Sequence, residues 1–193
     1  MRIIAGSLRS RTLAAPPGLA TRPTSDRLRE TLFNVLAPRI GGASFLDLYA
    51  GSGAVGIEAL SRGASRVVFV DRDAVALAAL RGNLGKLGIR EGFRIQAGGV
   101  SAFLRRGRPP ASPKFDLVFL DPPYDAAQEY EATLGLLGGA SSSLLAPGAL
   151  VIAEHRRKQP LEDRYDNLKR TRLLEQGDAA LSFYAIDPEG TWK

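Results

Sequence analysis

Apolar runs bounded by turn residues recur along the chain, and their lengths predict alternating strands and helices. Residues 43–48 have the length of a buried strand and stop at Tyr49-Ala50-Gly51-Ser52-Gly53, after which Ala, Ile and Leu return at helical spacing. Residues 66–71 repeat the strand pattern and end on a carboxylate. Leu77, Leu80, Leu84 and Leu87 then mark one stripe of a helix capped by Asp73. Residues 93–96 and 115–120 read as the third and fourth strands, 100–104 as a helical turn, 130–137 as a helix and 148–154 as a fifth strand. The last two apolar runs, 168–174 and 179–186, flank Glu175-Gln176-Gly177-Asp178, a hairpin signal. Strands alternating with helices and closed by a hairpin predict an α/β fold: a doubly wound, mostly parallel sheet with a C-terminal antiparallel strand.

Ahead of this pattern, residues 1–20 read as a basic, partly extended arm in which Ile3-Ile4-Ala5-Gly6 pairs as a short strand. Thr24, Ser25 or Asp26 caps the helix that follows. Leu28, Leu32, Val35 and Leu36 line its inner face up to Pro38, with Arg27 and Arg29 on the outer face. The organisation expected is a basic arm and helix over 1–40 packed on a core domain over 41–193, one compact unit overall.

Charge sharpens the picture of that arm. The net charge is +6, and residues 1–40 carry Arg2, Arg9, Arg11, Arg22, Arg27, Arg29 and Arg39 against Asp26 and Glu30. Arginine suits bidentate phosphate contact and stacking on bases, so a nucleic-acid partner is expected, with Arg2, Arg9, Arg11 and Arg27 as RNA-binding candidates. The basic loop from Arg105 to Arg108 is expected to face phosphate, and the segment around His155, the one histidine, to be solvated or to face RNA. No apolar run reaches the roughly 18–20 residues of a membrane span, and the N-terminus lacks a leader pattern, so the cytoplasm is expected. The absence of cysteine excludes disulfides, thiolate zinc sites and a cysteine nucleophile.

The glycines of residues 51–56 have the spacing G-x-G-x-x-G between a strand and a helix, which lets backbone N–H groups approach a ligand closely. Asp71, 20 residues beyond Gly51, ends the next strand and can accept both hydroxyls of a ribose. Asp47, just before the loop, falls near a cationic or amino group of the ligand. To this point a nicotinamide dinucleotide and S-adenosylmethionine are both possible. Asp121-Pro122-Pro123-Tyr124 separates them. Two prolines after a buried strand hold the Asp121 side chain and the Pro122 carbonyl as fixed acceptors, suited to an exocyclic amino group whose ring stacks on Tyr124.

Residues 47–53, Asp71 and Asp121-Pro122-Pro123-Tyr124 resemble class I S-adenosylmethionine-dependent methyltransferases acting on amino groups. More narrowly, Arg2-Ile3-Ile4-Ala5-Gly6 with Arg22-Pro23-Thr24-Ser25-Asp26-Arg27-Leu28-Arg29-Glu30-Thr31-Leu32-Phe33-Asn34 is similar to the start of the RsmD family, bacterial 16S ribosomal RNA guanine-N2 methyltransferases. The resemblance implies a seven-stranded Rossmann-like methyltransferase sheet, S-adenosylmethionine as cofactor with S-adenosylhomocysteine as product, no metal, and a monomer acting on 16S RNA or the small ribosomal subunit. It implies that Ala50, Gly51, Ser52 and Gly53 line the methionine end of the cofactor and Asp71 its ribose. Arg22 and Thr24 border the same pocket; Asp47, Tyr49, Arg72, Gly99 and Val100 complete the cofactor positions, and Asp121, Pro122, Pro123 and Tyr124 hold the guanine. After the third strand, where many such enzymes place Asp or Asn near the adenine, this chain has Ala97-Gly98-Gly99-Val100, which offers backbone groups instead. Rival expectations are an amino methyltransferase for DNA adenine or protein glutamine, and a nicotinamide-dependent oxidoreductase.

Overall fold

The computed structural model describes residues 1–15, 25–107, 112–123 and 127–187, which fall into two units, Met1–Val100 and Ser101–Lys193. In the first unit, α1 (Asp26–Ile40) starts where the Ser25 hydroxyl accepts the Leu28 N–H at 3.1 Å. Leu28, Leu32, Phe33 and Leu36 are buried as their spacing predicts. Two features differ from the sequence expectation. Arg29 is fully buried rather than exposed, and Pro38 lies inside the last turn instead of ending the helix, because buried Ile40 anchors that turn.

The chain continues as β1 (Ser44–Leu48), α2 (Ala54–Ser61), β2 (Arg66–Asp71), α3 (Ala74–Lys86) and β3 (Phe93–Ala97), and α4 (Val100–Arg106) begins on the last residue of this unit and runs into the second. The three strands are parallel in the order β3-β2-β1, with Leu46 opposite Val68 and Val68 opposite Arg94. Parallel strands are covered on both faces, and all of β1 is buried, which is why it reads as a near-continuous apolar run. Asp73 caps α3 as expected, accepting the Val75 N–H at 2.8 Å, and the Leu77, Leu80, Leu84 and Leu87 stripe is buried.

The arm is a small hairpin rather than a strand: Arg2 and Thr12 bridge, the Ile3 N–H donates to the Arg11 carbonyl at 2.9 Å, and Ile3 and Leu13 are buried. Its dock is Glu58 on α2, whose carboxylate accepts the Ile4 N–H at 2.8 Å, the Ala5 N–H at 3.0 Å and Arg62 Nε at 2.8 Å. Arg29 Nε lies 4.0 Å from the same carboxylate, while Arg29 Nη2 donates to the Arg2 carbonyl at 2.6 Å and to Asp26 Oδ1 at 2.8 Å. Burial pushes the Arg29 guanidinium pKa down, and the Glu58 and Asp26 charges oppose that shift. Gly6, at φ +85°, makes the close approach possible: a Cβ there would lie 1.8 Å from the Ser61 carbonyl oxygen.

In the second unit, β4 (Phe115–Leu120), α5 (Ala127–Gly138), β5 (Leu145–Arg156), β6 (Arg164–Tyr165), β7 (Leu168–Gln176) and β8 (Ala179–Ile186) follow one another. The strand order is β4-β5-β8-β7-β6, with β4 and β5 parallel and the remaining pairs antiparallel. Gly177, at φ +62°, turns the β7–β8 hairpin that the sequence predicts. The expected mostly parallel α/β sheet with a C-terminal antiparallel hairpin is therefore present. Eight strands are described against the seven expected, and the additional one is two-residue β6. Among the described residues no helix is long and apolar enough to cross a membrane.

His155 corrects another expectation, because it is buried at 2% exposure instead of solvated. Its Nδ1 lies 3.0 Å from the Arg156 carbonyl and 3.2 Å from that of Gln159, so the proton belongs on Nδ1 and Nε2 accepts from the Ser182 hydroxyl at 2.9 Å. Burial lowers the imidazole pKa; the two carbonyls and Glu175 oppose the shift and Arg170 adds to it. The unfolded chain therefore binds the extra proton first, and stability is expected to fall as pH drops below about 6.5. Urea midpoints between pH 7 and pH 5 check this: His155→Asn should flatten the slope relative to the unmodified protein.

Candidate active site

The loop after β1 has a positive-φ backbone that its glycines tolerate and its tyrosine does not favour. Tyr49, Gly51 and Gly53 have φ of 59°, 56° and 81°, and Tyr49 is one of three described non-glycine residues at positive φ. Such strain in a bulky residue persists where surrounding structure over-determines it, commonly at a functional site. The Gly53 N–H donates to the Ala50 carbonyl at 2.8 Å and Gly53 becomes the N-cap of α2, with no side chain to cap it. The helix thus presents the positive end of its dipole to the loop.

Asp71 latches this loop from β2. Its Oδ2 accepts the Gly51 N–H at 2.7 Å, its Oδ1 accepts the Asp73 N–H at 2.9 Å, and its carbonyl accepts the Gly98 N–H at 2.8 Å. One residue therefore ties together the loops after β1, β2 and β3. A carboxylate offers about four lone-pair sites, so the latch leaves acceptor capacity for ligand hydroxyls.

Asp47, near the end of β1, is 2% exposed and its Oδ2 accepts the Gly56 N–H at 2.9 Å. Burial pushes its carboxyl well above the usual carboxylate range, the Gly56 N–H opposes the rise and the Asp71 charge adds to it. Gly56 allows this contact: a Cβ there would stand 2.2 Å from the Phe69 ring and 2.9 Å from Asp47 Oδ2. Gly56→Ala is accordingly expected to cost about 1–3 kcal/mol by overpacking, read from the shift in denaturant midpoint.

Gly99 is half-buried and Val100 buried, Arg72 is exposed, and Arg2, Arg9, Arg11 and Arg27 are all exposed. Arg105 and Arg106, expected in a loop, are instead exposed in the last turn of α4, and Arg108 lies outside the described residues. In the second unit, buried β4 runs into Asp121, half-buried, with Pro122 buried and Pro123 exposed. Arg22, Thr24 and Tyr124 lie outside the described residues. The structure thus brings together Asp47, residues 49–53 and Asp71 within the first unit.

Sequence reasoning missed Glu58, Arg29 and Asn83. The available signals were a single ionisable residue in an otherwise apolar α2 and the i+3 spacing of Asn83 from Leu80 on the buried face of α3.

A mostly parallel α/β sheet whose glycine loop is latched by the acid ending the second strand defines the class of Rossmann-like folds that bind a nucleoside-containing cofactor. Solved structures agree: that of the Escherichia coli protein yhhF matches with a TM-score of 0.81 at 36% identity, covering 98% of this chain and 99% of that one. The chain belongs to the family described as Conserved hypothetical protein 95, which matches residues 1–185. The ribosomal RNA small subunit methyltransferase D of Escherichia coli is 35% identical over 190 residues, 98% of this chain and 92% of its own. The Haemophilus influenzae protein of the same name is 40% identical over 162 residues, 83% of this chain and 81% of its own.

Proposed function

We propose that this chain is an S-adenosylmethionine-dependent ribosomal RNA methyltransferase that modifies the exocyclic N2 of a guanine in small-subunit RNA. Near-full-length relatives named as small-subunit ribosomal RNA methyltransferases support the substrate class. The Gly51 to Asp71 latch at 2.7 Å, which sets a carboxylate with spare acceptor capacity against a glycine loop, supports a nucleoside-containing cofactor, and the Asp121-Pro122-Pro123-Tyr124 motif favours S-adenosylmethionine over a nicotinamide dinucleotide.

The residues present fit that cofactor. A Cβ on Gly51 would meet nothing within 4 Å, so the loop opens onto free space at this point. Asp47, Tyr49, Ala50, Gly51, Ser52, Gly53, Asp71 and Arg72 would hold it, with Gly99 and Val100 beside the adenine and Arg22 and Thr24 closing the same pocket. When bound, S-adenosylmethionine supplies an electrophilic methyl group on a sulfonium.

The protein's part is to prepare the acceptor. A guanine N2 lone pair is delocalised into the ring and is a poor nucleophile. Hydrogen bonds donated by that amino group to the Asp121 carboxylate and the Pro122 carbonyl favour pyramidalisation and aim the lone pair, while Tyr124 stacks on the base. Pro122 and Pro123 lack N–H groups and keep the two acceptors stiff. The exposed Arg2, Arg9, Arg11 and Arg27 contact RNA phosphates. A cytoplasmic monomer is the form expected for this task.

The test is transfer of a labelled methyl group to free 16S RNA, purified small subunits and DNA, followed by nucleoside analysis. Label recovered as N2-methylguanine from RNA or subunits is expected. Incorporation only into DNA or protein would overturn the reading.

A further inference from the structure

Asn83 is buried at 1% exposure on α3, and its side-chain amide joins two segments distant in sequence. Its Oδ1 accepts the Ala14 N–H at 2.8 Å, and its Nδ2 donates to the Ala14 carbonyl and to the Ser52 carbonyl, each at 3.0 Å. Ala14 closes the hairpin that carries Arg2, Arg9 and Arg11; Ser52 stands between the two glycines of the loop. Both Nδ2 protons are engaged, so the amide has no donor to spare. Movement of the Ser52 carbonyl therefore obliges the amide to follow, taking Ala14 with it, or to leave a buried polar group unpaired, which is costly.

We propose that Asn83 is a positioning residue coupling the arm to the loop, so that cofactor occupancy and RNA affinity are linked. This rests on the reading above that the loop holds the cofactor and the arm meets RNA. Linkage is reciprocal: a ligand that fixes Ser52 fixes Ala14, and RNA that fixes the arm favours the loop geometry that binds the cofactor.

The experiment titrates the full-length protein with a 16S ribosomal RNA fragment, with and without saturating S-adenosylhomocysteine. It compares the unmodified chain with Asn83→Ala and Asn83→Asp. The second variant keeps an acceptor for the Ala14 N–H and removes both donors. The unmodified protein is expected to bind RNA about fivefold or more tightly when S-adenosylhomocysteine is present, the lower end of usual coupling between sites. In variants that melt cooperatively and still bind S-adenosylhomocysteine, that ratio should collapse toward one. A merely structural Asn83 would weaken both affinities and leave the ratio unchanged, which overturns the inference, as does a ratio of one in the unmodified protein. Failure of the unmodified protein to bind S-adenosylhomocysteine or RNA overturns the functional reading itself, and the inference with it. Hydrogen exchange on the unmodified protein needs no variant to fold. S-adenosylhomocysteine should slow exchange of the Ala14 amide together with those of residues 51–53, and protection confined to the loop overturns the coupling.

Discussion

Replacing Asp121 with alanine is expected to slow methyl transfer about 100-fold or more while leaving S-adenosylhomocysteine affinity unchanged. The expectation follows from where the residue stands. Buried β4 ends at Leu120 and delivers Asp121, half-buried, next to the buried Pro122, so the carboxylate is presented from a rigid strand end. In the proposed chemistry it accepts a hydrogen bond that strengthens as the amino nitrogen pyramidalises, and its loss therefore falls on kcat. Single-turnover transfer to RNA, with cofactor affinity measured by calorimetry, checks this. Transfer that survives within about tenfold would remove Asp121 from its role. Asp121→Asn sharpens the result: it keeps an acceptor but loses the charge, and should fall between the two.

Glu58→Ala is expected to lower the unfolding free energy by about 3–5 kcal/mol, because it breaks a buried ion cluster and leaves its other members uncompensated. Glu58 and Arg29 are both fully buried, and among the described residues Asp26 is the carboxylate partner left to Arg29 once Glu58 is gone. The Ile4 and Ala5 N–H groups lose their acceptor in the same step, so the arm hairpin is released as well. Urea denaturation reads the first effect, and limited proteolysis within residues 1–15 reads the second. Glu58→Gln retains an acceptor for one arm N–H and should destabilise less, with the arm partly protected. A midpoint unchanged in both variants would show that the cluster contributes nothing to folding.

Much of the fold was legible because it rests on local rules. Buried parallel strands write themselves as apolar runs, and the caps Ser25 and Asp73 announce α1 and α3 through side chains that reach only two or three residues along the chain. The hairpin at Gly177 is equally local. The glycine loop of the candidate site was legible for a related reason. In a βαβ unit the spacing from Gly51 to Asp71 is set by one helix and one strand, so the place of the Asp71 carboxylate beside the loop was implied by their lengths, while its bond to the Gly51 N–H at 2.7 Å came only with the structure.

What the sequence by itself determined, then, is the order of elements, the glycine loop, its acid partner and the Asp121-Pro122-Pro123-Tyr124 motif, all of which depend on neighbours in the chain. The tertiary structure alone decided the fate of the polar residues inside the core. Glu58 meets arm N–H groups 53 and 54 residues away, Asn83 meets Ala14 across 69 residues, and His155 finds Ser182 across 27. No periodicity announces such pairings. A buried polar group needs a partner, yet its identity is fixed only when distant segments pack together. Arg29 shows the consequence: its spacing placed it in water, and the arm folding over α2 enclosed it instead.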